Sequence, residues 1–97
     1  MRSIGYTPRA QADLDEIWNF IARDDVRAAN KVLATIAERI ANAAANPGLG
    51  HLHREIKDPT VRCLTVYSYL VLYDWDDRAL NVLRIVHGRR NLSGLTI

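Results

Sequence analysis

Ninety-seven residues, 48% of them hydrophobic and 25% charged, are enough for one domain with a single modest core, and this composition excludes a disordered chain. The net charge of +2 is weak, but 11 of the 13 basic residues are arginine, which suits multidentate contacts with carboxylate or phosphate better than lysine does. Cys63 is the only cysteine, the first residues lack the apolar core of a signal peptide, and no run approaches the roughly 20 apolar residues that span a bilayer, so a reducing, cytoplasmic setting is expected.

In chain order, residues 2–6 form a short first segment that can join a sheet as a strand. Thr7-Pro8 reads as a helix start, a hydroxyl cap followed by proline at the first helical position. Ala10, Leu14, Ile17, Trp18 and Ile21 recur at helical spacing as one apolar stripe, with Asp13, Asp15, Glu16 and Asn19 expected off it, in solvent. Arg23-Asp24-Asp25 interrupts the period and supplies a second cap. Ala29, Val32, Leu33, Ile36, Ile40, Ala43 and Ala44 then mark a longer helix that Asn46-Pro47-Gly48 ends. The short connection between the helices predicts an antiparallel hairpin.

Residues 49–59, with Gly50, His51, His53 and Pro59, show no period and read as a long loop. Residues 60–66 and 69–75 are rich in β-branched and aromatic side chains, and only Tyr67-Ser68 separates them, so two strands joined by a tight turn are expected. Asp76-Asp77-Arg78 makes the next turn. The stretch 79–90 carries apolar side chains on both faces (Val82, Leu83, Ile85, Val86), as a strand covered on both sides should. Into it are set Arg84 and the ending His87-Gly88-Arg89-Arg90. These elements predict a single α+β domain over 1–97, a helical hairpin packed on an antiparallel sheet of three or four strands.

Several chemistries lack their residues. The chain has no Gly-rich phosphate loop and no Gly-x-Ser-x-Gly elbow, and its three serines stand in no nucleophile context. His51 and His53, with Glu55 or Cys63 further on, fall short of a zinc ligand set and read as solvated loop histidines, so neither metal nor cofactor is expected. Asp13 and Glu16 are helix neighbours that a paired-carboxylate site could use, but with Asp15 they read as a solvated helix face near the helix N-terminus, since nothing else points to acid–base chemistry there. Tyr69, Tyr73 and Trp75 share a strand face that can stack bases or, as read here, line a core. Arg62 and Arg84 are harder to place. Either Arg84 is buried in an ion pair, with Asp74 and Asp76 the nearest candidates, or one sheet face is open and the two arginines form a cationic floor on it. On a regular strand Arg84 and His87 point to opposite faces.

Taken together, Tyr6-x-Pro8-x-Ala10-x-x-Asp13-Leu14-x-x-Ile17, a long second helix ending in Asn46-Pro47-x-x-Gly50, Arg62, the Tyr69-x-Val71-x-Tyr73 strand and Ile85-Val86-His87-Gly88-Arg89-Arg90 resemble the ParE/RelE family of bacterial toxins over residues 6–91. The resemblance implies the toxin half of a type II toxin–antitoxin pair with the fold derived above. ParE-like members poison DNA gyrase; RelE-like members cut messenger RNA on the ribosome, where Arg62, Arg84 and His87 would be the catalytic positions. The His-Gly-Arg-Arg ending and the scarcity of lysine (only Lys31 and Lys57) resemble ParE more closely. The expectation is a non-enzymatic gyrase inhibitor that contacts its target or antitoxin through Arg62, Arg84, His87, Arg89 and Arg90, and that a ParD-like antitoxin neutralises in a hetero-oligomer. An mRNA endonuclease, or an inactive domain that only binds an antitoxin, are the alternatives.

Overall fold

The structure, a computed structural model, describes every residue except Met1 and Thr96. Strand β1 (Ser3–Tyr6) leads into helices α1 (Pro8–Ala22) and α2 (Val26–Ala45), a 3-10 turn (Pro47–Leu49), and strands β2 (Arg62–Val66), β3 (Tyr69–Trp75) and β4 (Ala79–His87). None of the helices is long and apolar enough to cross a membrane among the described residues.

Both helix starts are capped from the side chain: Thr7 accepts the amide of Ala10, and Asp25 that of Ala28. The Trp18 indole donates to Asn30 Oδ1 at 2.9 Å, holding the two helices together across the hairpin. Ile17, Ile36, Ile40, Ala43 and Ala44 are buried, with Leu14, Ile21, Val32 and Leu33 packed at the margin, so the apolar stripes face the sheet as their spacing predicts. Ile36 is 1% exposed at the centre of this layer. Ile36→Ala is expected to lower stability by about 2–5 kcal/mol in urea unfolding, the cost of a core cavity.

The sheet has the order β1-β4-β3-β2. The β2–β3 and β3–β4 pairs are antiparallel, whereas β1 joins the edge parallel to β4, so the four-stranded sheet is mixed, not wholly antiparallel. One face packs Leu64, Val66, Val71, Tyr73, Leu80, Val82 and Ile85 against the hairpin. The aromatic stripe belongs to this core: Tyr73 is fully buried, while Tyr69 and Trp75 pack at its edge. Burial raises the pKa of the Tyr73 phenol, which stays protonated, donates to Pro47 O at 2.6 Å and accepts the Gly50 amide at 2.9 Å. A Cβ at Gly50 would collide with that hydroxyl. Tyr73→Phe should therefore cost about 1–3 kcal/mol by leaving the buried Gly50 N–H without its acceptor, measurable as a lowered urea midpoint.

The second face is not open. Cys63, Leu70, Leu72 and Val86 are covered by Val61 and Leu92, with Ile56 and Leu95 packed alongside, so the loop after α2 and the C-terminal segment form a smaller second core. Glu55 ties the two covering segments by accepting the Leu92 amide at 3.1 Å. A cationic floor of Arg62 and Arg84 on a bare sheet face therefore does not form.

Candidate functional site

The site grows from the place where β1 stops. Pairing of β1 with β4 ends at Tyr6 and Val82; Thr7 then bonds the Val82 and Leu83 carbonyls as the chain turns into α1. From there on, the β4 edge faces α1. The β3–β4 register shifts at the same level, from Leu72↔Arg84 to Tyr73↔Val82, which leaves Leu83 as an extra residue in β4. Such a bulge bends the strand and re-aims its side chains.

Asp13 on α1 meets that edge. Its Oδ2 accepts the Ile85 amide at 2.9 Å and Arg84 Nε at 2.8 Å, and its Oδ1 accepts Arg84 Nη2 at 3.1 Å. The carboxylate thus stands in for the missing strand and neutralises the arginine at once. Arg84 is 3% and Asp13 8% exposed, so both charges are buried, and the hydrogen bonds that the guanidinium donates to Asp13 raise the arginine pKa against the opposing effect of burial. Two expectations are corrected. Asp13 is not a solvated helix residue, and the partner of Arg84 is neither Asp74 nor Asp76. Asp74 instead accepts from Asn81 Nδ2, and Asp76 caps its own turn by accepting the Arg78 and Ala79 amides.

Arg62 lies elsewhere. It sits opposite Tyr73, whereas His87 pairs with Tyr69, whose β2 partner is Val66. Four residues along β2 separate the two levels, about 13 Å at ~3.3 Å per residue. Arg62 stacks over the Trp75 ring at 5.7 Å and donates to Gly50 O at 3.3 Å. Of the five sequence-expected site residues, the structure brings together His87, Arg89 and Arg90, while Arg84 is held beneath by Asp13 and Arg62 stands apart.

His87, Arg89 and Arg90 are exposed at the β4 end. The Gly88 amide bonds Ser68 O at 2.8 Å, which fastens this end to the β2–β3 turn. The imidazole packs edge-on against Tyr69 (5.8 Å, 76°), and its Nδ1 accepts the Arg89 amide at 3.2 Å, leaving Nε2 toward the surroundings. The ring is therefore oriented by its own backbone. Two clefts flank it. The first, about 370 Å³, lies between α1 and the sheet, with Ile17, Phe20, Tyr69 and Ile85 as an apolar lining, Asp13 and Glu16 on the α1 side and His87 and Arg90 on the strand side. Phe20 is 68% exposed there. The second, about 440 Å³, lies on the turn side, between Thr65, Tyr67, Ser68 and Tyr69 and the His87-Gly88-Arg89 run.

Sequence reasoning missed Asp13, Phe20 and Tyr67 as parts of the site. For Asp13 a signal existed, because Ala10, Asp13 and Ile17 follow helical spacing and are the buried residues of α1. Tyr67 carries no signal in a turn of two residues; only the structure shows its φ of 54°.

Residues 4–92 match the family model described as the ParE toxin of the type II toxin–antitoxin system, parDE. Toxin ParE1 of Mycobacterium tuberculosis is 34% identical over 88 residues, covering 89% of each chain, and the counterparts from two strains match alike. Among solved structures, the chromosomal ParDE system from P. aeruginosa superposes with a TM-score of 0.72 at 26% identity, over 90% of this chain and 96% of that one. The E. coli DinJ-YafQ complex shares the fold, with a TM-score of 0.58 at 19% identity over 90% and 93% of the two chains.

Proposed function

Because the chain belongs to the ParE family of toxins of type II toxin–antitoxin systems, we propose that it arrests growth in the cytoplasm by binding DNA gyrase, and that a ParD-like antitoxin neutralises it in a hetero-oligomer. One observation favours a binder over a nuclease. The three groups that RNA cleavage would combine do not converge: the Arg84 guanidinium is held by Asp13, and Arg62 stands on another level of the sheet from His87. Arg89 and Arg90 remain as exposed cations suited to contact.

The cleft between α1 and the β4 end suits the antitoxin. Its apolar lining would take the hydrophobic face of an amphipathic segment, with acidic groups meeting Arg90 and His87. Phe20→Ser is expected to weaken antitoxin binding at least tenfold, since an exposed aromatic in such a cleft is a typical anchor. Titration calorimetry with the purified antitoxin checks this.

The functional experiment is induction without and with the antitoxin. Growth should stop in the first case and recover in the second. Sustained growth at full induction of soluble, unpartnered protein would contradict the proposal and favour a domain that only binds its antitoxin.

A further inference from the structure

The two clefts beside His87 differ in charge. Asp13 and Glu16 line the one against α1, whereas no carboxylate lines the one on the turn side. The latter offers the Arg89 guanidinium, the His87 ring and the Thr65 and Ser68 hydroxyls, all from exposed residues. Among the described residues Arg89 has no carboxylate within ion-pair distance, because the single ion pair found is that of Arg84. The Gly88–Ser68 bond sets this arginine beside the turn, where Tyr67 lines the same cleft with 55% of its surface exposed. Tyr67 also holds a φ of 54°, a backbone conformation that a bulky residue adopts only at an energetic cost. The two-residue β2–β3 turn requires that conformation, and the Tyr67 hydroxyl lies 3.3 Å from Thr35 Oγ1 on α2, so the exposed ring is held in place beside the cleft.

A cation, hydroxyl donors and an accessible aromatic ring, with no competing carboxylate, match a phosphodiester next to an unstacked base. We propose that the turn-side cleft binds an unpaired nucleic-acid strand, with Arg89 on a phosphate and Tyr67 under a base. Neither RNA nor DNA is cut in this reading, and the inference stands on the cleft lining, whichever target the toxin has.

Fluorescence anisotropy of the purified 97-residue chain with labelled oligonucleotides tests it, using single-stranded DNA, single-stranded RNA and duplex DNA, and an acidic peptide as competitor. Single strands of either sugar should bind at low salt, more tightly than duplex. Arg89→Ala should weaken them several-fold and make the slope of log K against log salt shallower by about 0.7, the value for one phosphate contact on a single strand. Tyr67→Asn keeps a residue that tolerates the left-handed backbone, and should weaken binding about tenfold with no change of slope. Arg27→Ala, the same loss of charge on α2 outside both clefts, should change affinity less than twofold. Binding by only DNA or only RNA, with these effects of Arg89 and Tyr67, would name the source of the strand. Equal losses from Arg27→Ala and Arg89→Ala, tighter binding to duplex, displacement by the peptide as effective as by single strands, or no binding at low salt would each overturn the proposal. Gyrase is absent from this assay, so its outcome is separate from that of the gyrase reading.

Discussion

Replacing Asp13 with alanine is expected to destabilise the fold by about 3–5 kcal/mol, the range for breaking a buried ion pair from one side. Two groups suffer: the Arg84 guanidinium stays buried after losing its carboxylate, and the Ile85 amide loses its acceptor where β1 no longer covers the edge. Asp13→Asn, which keeps one acceptor without the charge, should fall between wild type and alanine. Exchanging both partners, as Asp13→Leu with Arg84→Met, should recover part of the loss, because an apolar pair of similar volume removes the buried charges together. A deficit of about 1–3 kcal/mol should remain for the Ile85 amide. Urea unfolding of the four proteins measures these values; a loss under about 1 kcal/mol for Asp13→Ala would place the pair with exposed salt bridges. The sign with pH follows from the raised Arg84 pKa. A cation whose pKa rises on folding contributes fully below its unfolded value and is lost only as pH climbs through the folded one, here above the ordinary range of arginine. Stability should not fall on its account between neutral and mildly alkaline pH.

The second large effect is expected at the β4 end. Arg89→Ala combined with Arg90→Ala should reduce toxicity more than tenfold at matched soluble expression, whereas His87→Gln should retain most of it. The difference lies in what each group does. Exposed arginines contribute contact charge, each modestly and together substantially. A general acid or base is different, because its removal commonly lowers a rate by roughly 10²–10⁴-fold. His87 is the imidazole at this end, and its Nδ1 accepts the Arg89 amide while its ring packs on Tyr69, a structural role that glutamine can largely replace. Growth inhibition by the two variants, titrated with inducer, separates the cases.

The helices were readable because burial follows local period: Ile17, Ile36 and Ile40 are inside, as their spacing requires, and Thr7 and Asp25 cap as their residue types suggest. The three antiparallel strands were readable for the same reason. What escaped depends on distant parts of the chain. Asp13 and Arg84 are 71 residues apart, and their pairing depends on where β1 ends and where β4 bulges. Leu83 looks like any strand residue. The direction of β1 cannot be read from four residues. The cover on the outer sheet face comes from Ile56, Leu92 and Leu95, isolated apolar residues in segments without a period. The basic ending was visible as a cluster, but which of its members are accessible depended on that same tertiary arrangement.

The most direct test of gyrase binding without catalysis is a supercoiling assay on purified gyrase with the wild-type chain, run beside ribosome-bound mRNA under the same conditions. Inhibition of supercoiling that the antitoxin reverses, with His87→Gln nearly as potent and the mRNA intact, is the predicted result. Cleavage of the mRNA that disappears in His87→Gln, with gyrase unaffected, would contradict it.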